Sequence, residues 1–249
     1  MKKRTREVSQ AFAQRLARQG AEAVFVFGSR VRGDFYEESD IDIHVIGERS
    51  KGEWLERYRQ YLVSVSWMTV EHHKQAFRNP AEVGIIIPAW RNALIIYDPY
   101  EVAASFMDEA RRWRWESLGR ESDEWVAEHI TGWAEEVHRL VGSLQLGRRS
   151  IAAVVRSILA MKMAPILAVH LRIFYDTENQ LWDLVSTRMG TKWSEVQSAA
   201  LCENGQDFED ACEAALKLYA MTAREVRHLL NRKQLQVVAH ACRVAGHPL

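Results

Sequence analysis

Residues 23–46 read AVFVFGSRVRGDFYEESDIDIHVI, and this stretch decides the fold. Its first five residues, 23–27, form an apolar run rich in β-forming side chains, which predicts a short buried strand. A turn and a polar spacer follow. Residues 41–46 then alternate between apolar and polar side chains, which predicts a second strand. Asp40 and Asp42 fall together on its polar face. The stretch therefore predicts two strands, the second of which carries a pair of carboxylates on one face.

The rest of the chain divides into two parts. Apolar residues at helical spacing before Gly20 predict an opening helix, and residues 62–69 and 93–97 predict two more strands. Beyond about residue 101 long helical patterns dominate, with Pro165 expected to kink or split one of them. We therefore predict an α+β protein, with an N-terminal domain of strands and helices over residues 1–100 and a C-terminal helical bundle over residues 101–249. The predicted helices span 102–116, 123–146, 151–174, 182–189 and 207–230.

Composition excludes several classes of function. The 33 basic and 33 acidic side chains balance, whereas proteins that bind long nucleic acid usually carry a basic excess, so a small molecule is the expected partner. The three cysteines lack metal-ligand spacing and indicate free thiols in a reducing compartment. No signal peptide and no uninterrupted apolar segment of membrane-spanning length is visible. We expect a soluble cytoplasmic protein that does not enter a membrane.

The turn after the first strand and the two aspartates can perform complementary chemistry. Gly28 lets the backbone approach a ligand and leaves amide N–H groups free for an anion, and the Ser29 hydroxyl adds a donor. Asp40 and Asp42 would repel each other, so a divalent cation is their best partner. Each half alone is common in loops and on solvated strands. Together they favour a metal-dependent phosphoryl-group transfer.

This arrangement resembles the signature of the nucleotidyltransferase superfamily of the DNA polymerase β type, a Gly-Ser followed by Asp-x-Asp. The resemblance implies a mixed-sheet catalytic domain in which Asp40 and Asp42 hold Mg²⁺. It also implies that the triphosphate of ATP or another NTP lies against Gly28 and Ser29, and we include Ser39 among the nucleotide-binding residues.

The C-terminal half is similar to the substrate domain of kanamycin nucleotidyltransferases, through residues 167–177 (LAVHLRIFYDT). That similarity implies transfer of AMP to a hydroxyl of an aminoglycoside-like small molecule by a homodimer. It aligns the family's general base with Glu135, and a family lysine with Arg139, to which we assign nucleotide binding. An exposed ion pair is the alternative interpretation of these two residues. Glu128 and Glu136 could complete an acidic pocket for a cationic acceptor.

One position departs from the superfamily. A third carboxylate is common on a neighbouring strand, and here that position falls on Ser64, which brings no charge. The departure leaves two alternatives open: a two-carboxylate enzyme, or a non-catalytic nucleotide-binding or regulatory protein on a degenerate fold. Transfer to a protein or RNA acceptor is a third alternative, which the neutral net charge disfavours.

Overall fold

A computed structural model describes residues 2–249 and divides the chain into two compact units, Met1–Ser117 and Leu118–Leu249. The first unit extends beyond residue 100, where the sequence analysis places its boundary. Helix α5 (Val102–Arg112) packs against helix α4 (Pro80–Arg91) and strand β1 (Ala21–Val26), which explains why residues 101–117 belong with the sheet.

The first unit is built on a mixed five-stranded sheet in the order β3-β4-β2-β1-β5. Strands β2 and β4 are parallel, and the other neighbours are antiparallel. The α+β class and the mixed sheet are thus confirmed, but one strand, β3, and three helices, α2, α3 and α4, were not predicted. The remaining elements are β2 (Ile41–Gly47), β3 (Gly52–Tyr58), β4 (Tyr61–Met68), β5 (Leu94–Tyr97), α1 (Lys3–Ala17), α2 (Ser29–Arg32) and α3 (Val70–Ala76).

The two faces of the sheet have different environments. One face packs against α1, where Phe12 and Leu16 join Ile43 and Val65 in a fully buried core. On the other face, the half formed by β1 and β2 is covered by aromatic side chains of α3, α4 and α5. The half formed by β3 and β4 carries Leu55, which is 64% exposed, and we call it the open half-face.

The second unit is helical around one large core. The predicted helix over 123–146 is in fact two, α6 (Gly119–Gly132) and α7 (Ala134–Gln145), because the first ends before Trp133. Two helices, α10 and α12, were not predicted. The others are α8 (Arg149–His170), α9 (Glu178–Met189), α10 (Thr191–Leu201), α11 (Phe208–Glu225) and α12 (Arg232–Val244), and short 3-10 helices span Trp115–Leu118 and Arg227–Leu229.

Helix α8 runs unbroken across Pro165, so of the two expected outcomes, a kink or a split, the split is wrong. Within residues 2–249 it is the one helix long and apolar enough to cross a membrane, with a mean hydropathy of 1.8. Half of that segment is buried, and Leu159, Met163 and Leu167 lie in the centre of the helical core. Its apolar character is therefore explained by packing inside the helical core.

Candidate active site

The turn after β1 is in direct contact with the carboxylate of Asp42. Gly28 has a φ of 79° and is the N-cap residue of α2. A Cβ atom placed on Gly28 would lie 1.9 Å from Asp42 Oδ2, far inside van der Waals contact. The backbone N–H of Phe27 donates to the carbonyl of Asp42 at 3.2 Å, which fixes the turn against β2. Only glycine combines this backbone conformation with this approach.

A buried arginine fixes the loop that leads to the first aspartate. Arg30 is 4% exposed, and its Nε donates to the carbonyls of Ser39 at 3.0 Å and Asp40 at 2.9 Å. Its Nη2 donates to the carbonyl of Glu37 at 3.1 Å and also to that of Ser39. The guanidinium lies over the ring of Tyr61, with 4.9 Å to the centroid. Five donors in a rigid planar fork suit arginine to this task, so the loop conformation depends on Arg30.

Asp42 is in an environment that opposes its charge. Burial raises the pKa of its carboxyl, the nearby Asp40 carboxylate adds to that rise, and the positive charges of Arg32 and Arg30 act in the opposite direction. Together these effects give a pKa of about 6. A divalent cation bound here would offset both the cost of burying the carboxylate charge and its repulsion by Asp40, so this environment favours cation binding.

The strand next to Asp42 carries a serine where a third carboxylate would stand. In the parallel pairing of β2 and β4, Asp42 lies opposite Ser64, as the sequence analysis expected for that position. No group of three or more His, Cys, Asp or Glu side chains in residues 2–249 is arranged to hold a metal ion. Two carboxylates with substrate phosphates are nevertheless a common Mg²⁺ environment, since Mg²⁺ keeps several waters. Asp40 and Asp42 therefore fit Mg²⁺ bound together with a nucleotide.

Comparison with known proteins agrees with this geometry. Residues 11–78 match the family model described as "Polymerase beta, Nucleotidyltransferase". This stretch of the first unit is therefore similar to the nucleotidyltransferase superfamily. The chain is also similar in fold to a nucleotidyltransferase-like protein from Exiguobacterium sibiricum, with a TM-score of 0.57 and 9% identity over 96% of this chain and 80% of that one. No curated protein sequence matches significantly.

The predicted nucleotide-binding serines lie at the two ends of the segment that joins β1 to β2. Ser29 is the first residue of α2, and the N–H groups at the start of a helix have no partner within it. Ser39 directly precedes Asp40, and its Oγ accepts from the backbone N–H of Tyr36 at 2.9 Å. The structure thus engages the Ser39 side chain in a turn within the loop, and its assignment to the nucleotide stays a prediction.

Two histidines of the first unit are packed among aromatic rings. His73 lies in α3 and packs edge-on against Trp90, with ring centroids 5.3 Å apart. His44 packs against Phe27 with the two rings tilted, and their centroids lie 4.4 Å apart. Burial lowers the pKa of His73 to about 4 and that of His44 to about 3, so both are neutral at physiological pH. This aromatic cluster covers the half of the sheet face formed by β1 and β2, and the cover ends at Asp42.

Glu135 and Arg139 lie in the helical unit, on the first turns of α7. Arg139 donates to Glu135 at 2.8 Å and to Glu136 at 2.9 Å, so the i,i+4 pair foreseen from the sequence exists and has a second acid. Glu135 and Glu136, with Glu128 and Trp133, line a cleft of about 390 Å³. Glu135 is 76% exposed at its side chain, whereas one carboxylate oxygen of Glu136 is buried without a hydrogen-bond partner.

The residue that sequence reasoning missed is Arg30. The segment between Gly28 and Asp40 contains two arginines, and the sequence offers no signal that one is buried while the other is half-exposed and paired with Asp34. The carbonyls that Arg30 binds belong to residues seven to ten positions later, and these contacts appear only once the loop is folded.

Proposed function

We propose that the protein is an Mg²⁺-dependent nucleotidyltransferase that moves a nucleoside monophosphate, AMP from ATP, to a hydroxyl of a small molecule. The observation that carries the proposal is the contact between Gly28 and the Asp42 carboxylate. The turn at Gly28, with its free N–H groups, lies next to the Asp42 carboxylate. A triphosphate bound by the turn is therefore within reach of a cation bound by the carboxylate.

Each residue has a role in this proposal. Asp40 and Asp42 hold Mg²⁺, which supplies charge neutralisation at the phosphates and orients the attacking hydroxyl. Gly28 and Ser29 bind the triphosphate through their N–H groups. Glu135 is the general base that accepts the proton of the acceptor hydroxyl.

The acceptor class that we favour is an aminoglycoside-like polyol amine. The cleft lined by Glu128, Glu135 and Glu136 supports it, because three carboxylates create a negative potential that attracts amines, and Arg139 compensates only part of that charge. Arg139 is the residue that we assign to the phosphates. We further propose that the enzyme is a cytoplasmic homodimer, and light scattering after size exclusion would measure its mass against the 28.7 kDa of one chain.

Calorimetric titration of ATP with and without Mg²⁺, on the wild type and on Asp42→Ala, tests the proposal. We expect binding that requires Mg²⁺ and is lost in the variant, followed by release of pyrophosphate when an acceptor is added. Binding that is indifferent to both metal and Asp42 would contradict the transferase, as would wild-type transfer rates in Asp42→Ala.

A second candidate is a nucleotide-binding or regulatory protein without turnover, and the position of Ser64 opposite Asp42 favours it. Replacing Ser64 by aspartate separates the two candidates. A large gain in metal affinity accompanied by the first measurable turnover would identify the native site as degenerate. An active wild type whose rate changes little in Ser64→Asp would exclude that reading.

A further inference from the structure

The open half-face next to the proposed metal site has its own chemistry. In the pairing of β2, β4 and β3, Asp42 lies opposite Ser64, and Ser64 lies opposite Leu55. Directly paired residues project to the same side of a sheet. Asp42, Ser64 and Leu55 therefore form one row across three strands. Since neighbouring strands lie about 4.8 Å apart, Leu55 is about 10 Å from Asp42, a separation that one small acceptor molecule can bridge.

The next row makes this surface apolar. Leu62, two residues before Ser64 on β4, points to the same side and is 46% exposed, and Leu55 is 64% exposed. Two large exposed apolar side chains beside a charged site are unusual for a strand that faces water. The half-face begins at Asp42, where the covering aromatic cluster around Phe27 ends, so it is continuous with the proposed metal site.

The charges around the two leucines balance. Arg57 lies opposite Leu62, and Glu53 lies opposite Ser66, whose Oγ donates to Glu53 at 3.3 Å. A surface with one cation and one already engaged acid has no excess of negative charge to attract amines. It suits the uncharged, apolar face of a ring.

We propose that Leu55 and Leu62 bind the acceptor, and that the acceptor presents an apolar ring face beside its reacting hydroxyl. This inference rests on the proposed function, and it adds that the ring nearest the metal site is recognised by apolar contact, with Ser64 between it and Asp42. Leu55 and Leu62 are then specificity-determining residues. Any amines of the acceptor are recognised away from this surface.

The experiment uses the full chain with ¹³C-labelled leucine methyl groups, in the presence of Mg²⁺ and a non-hydrolysable ATP analogue. The probes are phenyl β-D-glucoside and glucose, which share the hydroxyls at C2, C3, C4 and C6 and differ at C1, where the glucoside carries a phenoxy group and glucose a hydroxyl. We expect the methyl resonances of Leu55 and Leu62 to shift with phenyl glucoside, with a dissociation constant at least about tenfold lower than that of glucose. In Leu55→Thr/Leu62→Thr we expect that constant to rise at least about tenfold.

The matched control is Val237→Thr, which makes the same apolar-to-hydroxyl change at an exposed position of α12, and it should bind phenyl glucoside as the wild type does. Equal affinity for the two probes, or an unchanged affinity in the double variant, would overturn the inference. Failure of the nucleotide analogue to bind, with the leucine resonances still responding, would refute the transferase and leave the ring-binding surface. Analogue binding with unresponsive leucines would refute the surface alone.

Discussion

Two acidic sites in this chain have opposite energetics. Glu135 is exposed and compensated, because Arg139 donates to it at 2.8 Å. Asp42 is half-buried and in contact with a glycine, its nearest acid raises its pKa, and it makes no ion pair among the salt bridges of residues 2–249. Keeping the Asp42 carboxylate charged costs free energy, and a fold that retains this cost indicates that ligand binding offsets it. The exposed pair of Glu135 and Arg139 carries no such indication, because surface ion pairs of this kind are common.

The largest expected effect is that of Gly28→Ala. The new methyl group would overlap Asp42 Oδ2, and alanine would also be strained at a φ of 79°. We expect Mg²⁺-dependent ATP binding to weaken more than about 100-fold and the protein to lose about 2–4 kcal/mol of stability. Calorimetry and urea unfolding measure the two effects.

The matched control for Gly28→Ala is Gly142→Ala within α7, where a Cβ meets nothing within 4 Å. There the change should stabilise the helix by about 0.5–1 kcal/mol. Equal behaviour of the two variants would mean that the contact at Asp42 has no special importance.

Asp42→Asn should abolish metal-dependent ATP binding while making the metal-free protein more stable. The folded state holds the Asp42 proton more tightly than the unfolded state, since its pKa is about 6 against 3.8. Its favourable contribution is therefore complete below pH 3.8 and is lost as the pH rises through 6. At pH 7.5 we expect the variant to be more stable by up to about 3 kcal/mol.

Urea unfolding from pH 7.5 to 4.5 would reveal the same linkage at Asp42 as a difference between wild type and variant that narrows as the solution becomes acidic. A variant less stable than the wild type at pH 7.5 would show that the Asp42 carboxylate is not destabilising. Asp42 and Glu135 would then not differ in the energetic cost of their charge.

Arg30→Lys tests how the approach to Asp40 is fixed. An ammonium group cannot reproduce the planar fork that serves the carbonyls of Glu37, Ser39 and Asp40, so some of them would lose their donor. We expect a loss of about 2–3 kcal/mol in stability and about tenfold weaker Mg²⁺-dependent ATP binding. Arg18→Lys, at an exposed arginine that donates to the carbonyl of Gln14, should change neither property measurably.

Glu135→Gln should have the smallest effect on stability and nucleotide binding. The pair with Arg139 is solvent-screened, so we expect a change below about 0.5 kcal/mol and an unaltered ATP affinity. Transfer to the acceptor should nevertheless fall at least about 100-fold if Glu135 is the base. Glu124→Gln, which breaks the comparable exposed pair with Arg120, is the matched control and should leave transfer unchanged.

Local patterns predicted much of this fold. The alternation over residues 41–46 located β2 and the face of Asp42, and the register confirmed Ser64 as its neighbour. β3 was missed because the mixture of polar and apolar residues in it does not distinguish a strand from a loop. Its structure depends on pairing with β4. The burial of Arg30 and His73 depends on contacts between distant segments, which no window of sequence contains.

The contact between Gly28 and Asp42 also has a thermodynamic consequence. The phosphate and the metal ion would bind at adjacent positions, at Gly28 and at Asp42. Each ligand should therefore change the affinity of the site for the other by the same factor. When metal is scarce, the supply of nucleotide would then determine how much cation the protein retains. Substitutions at either residue are expected to disturb both affinities together, so the site would gain or lose its two ligands as a unit.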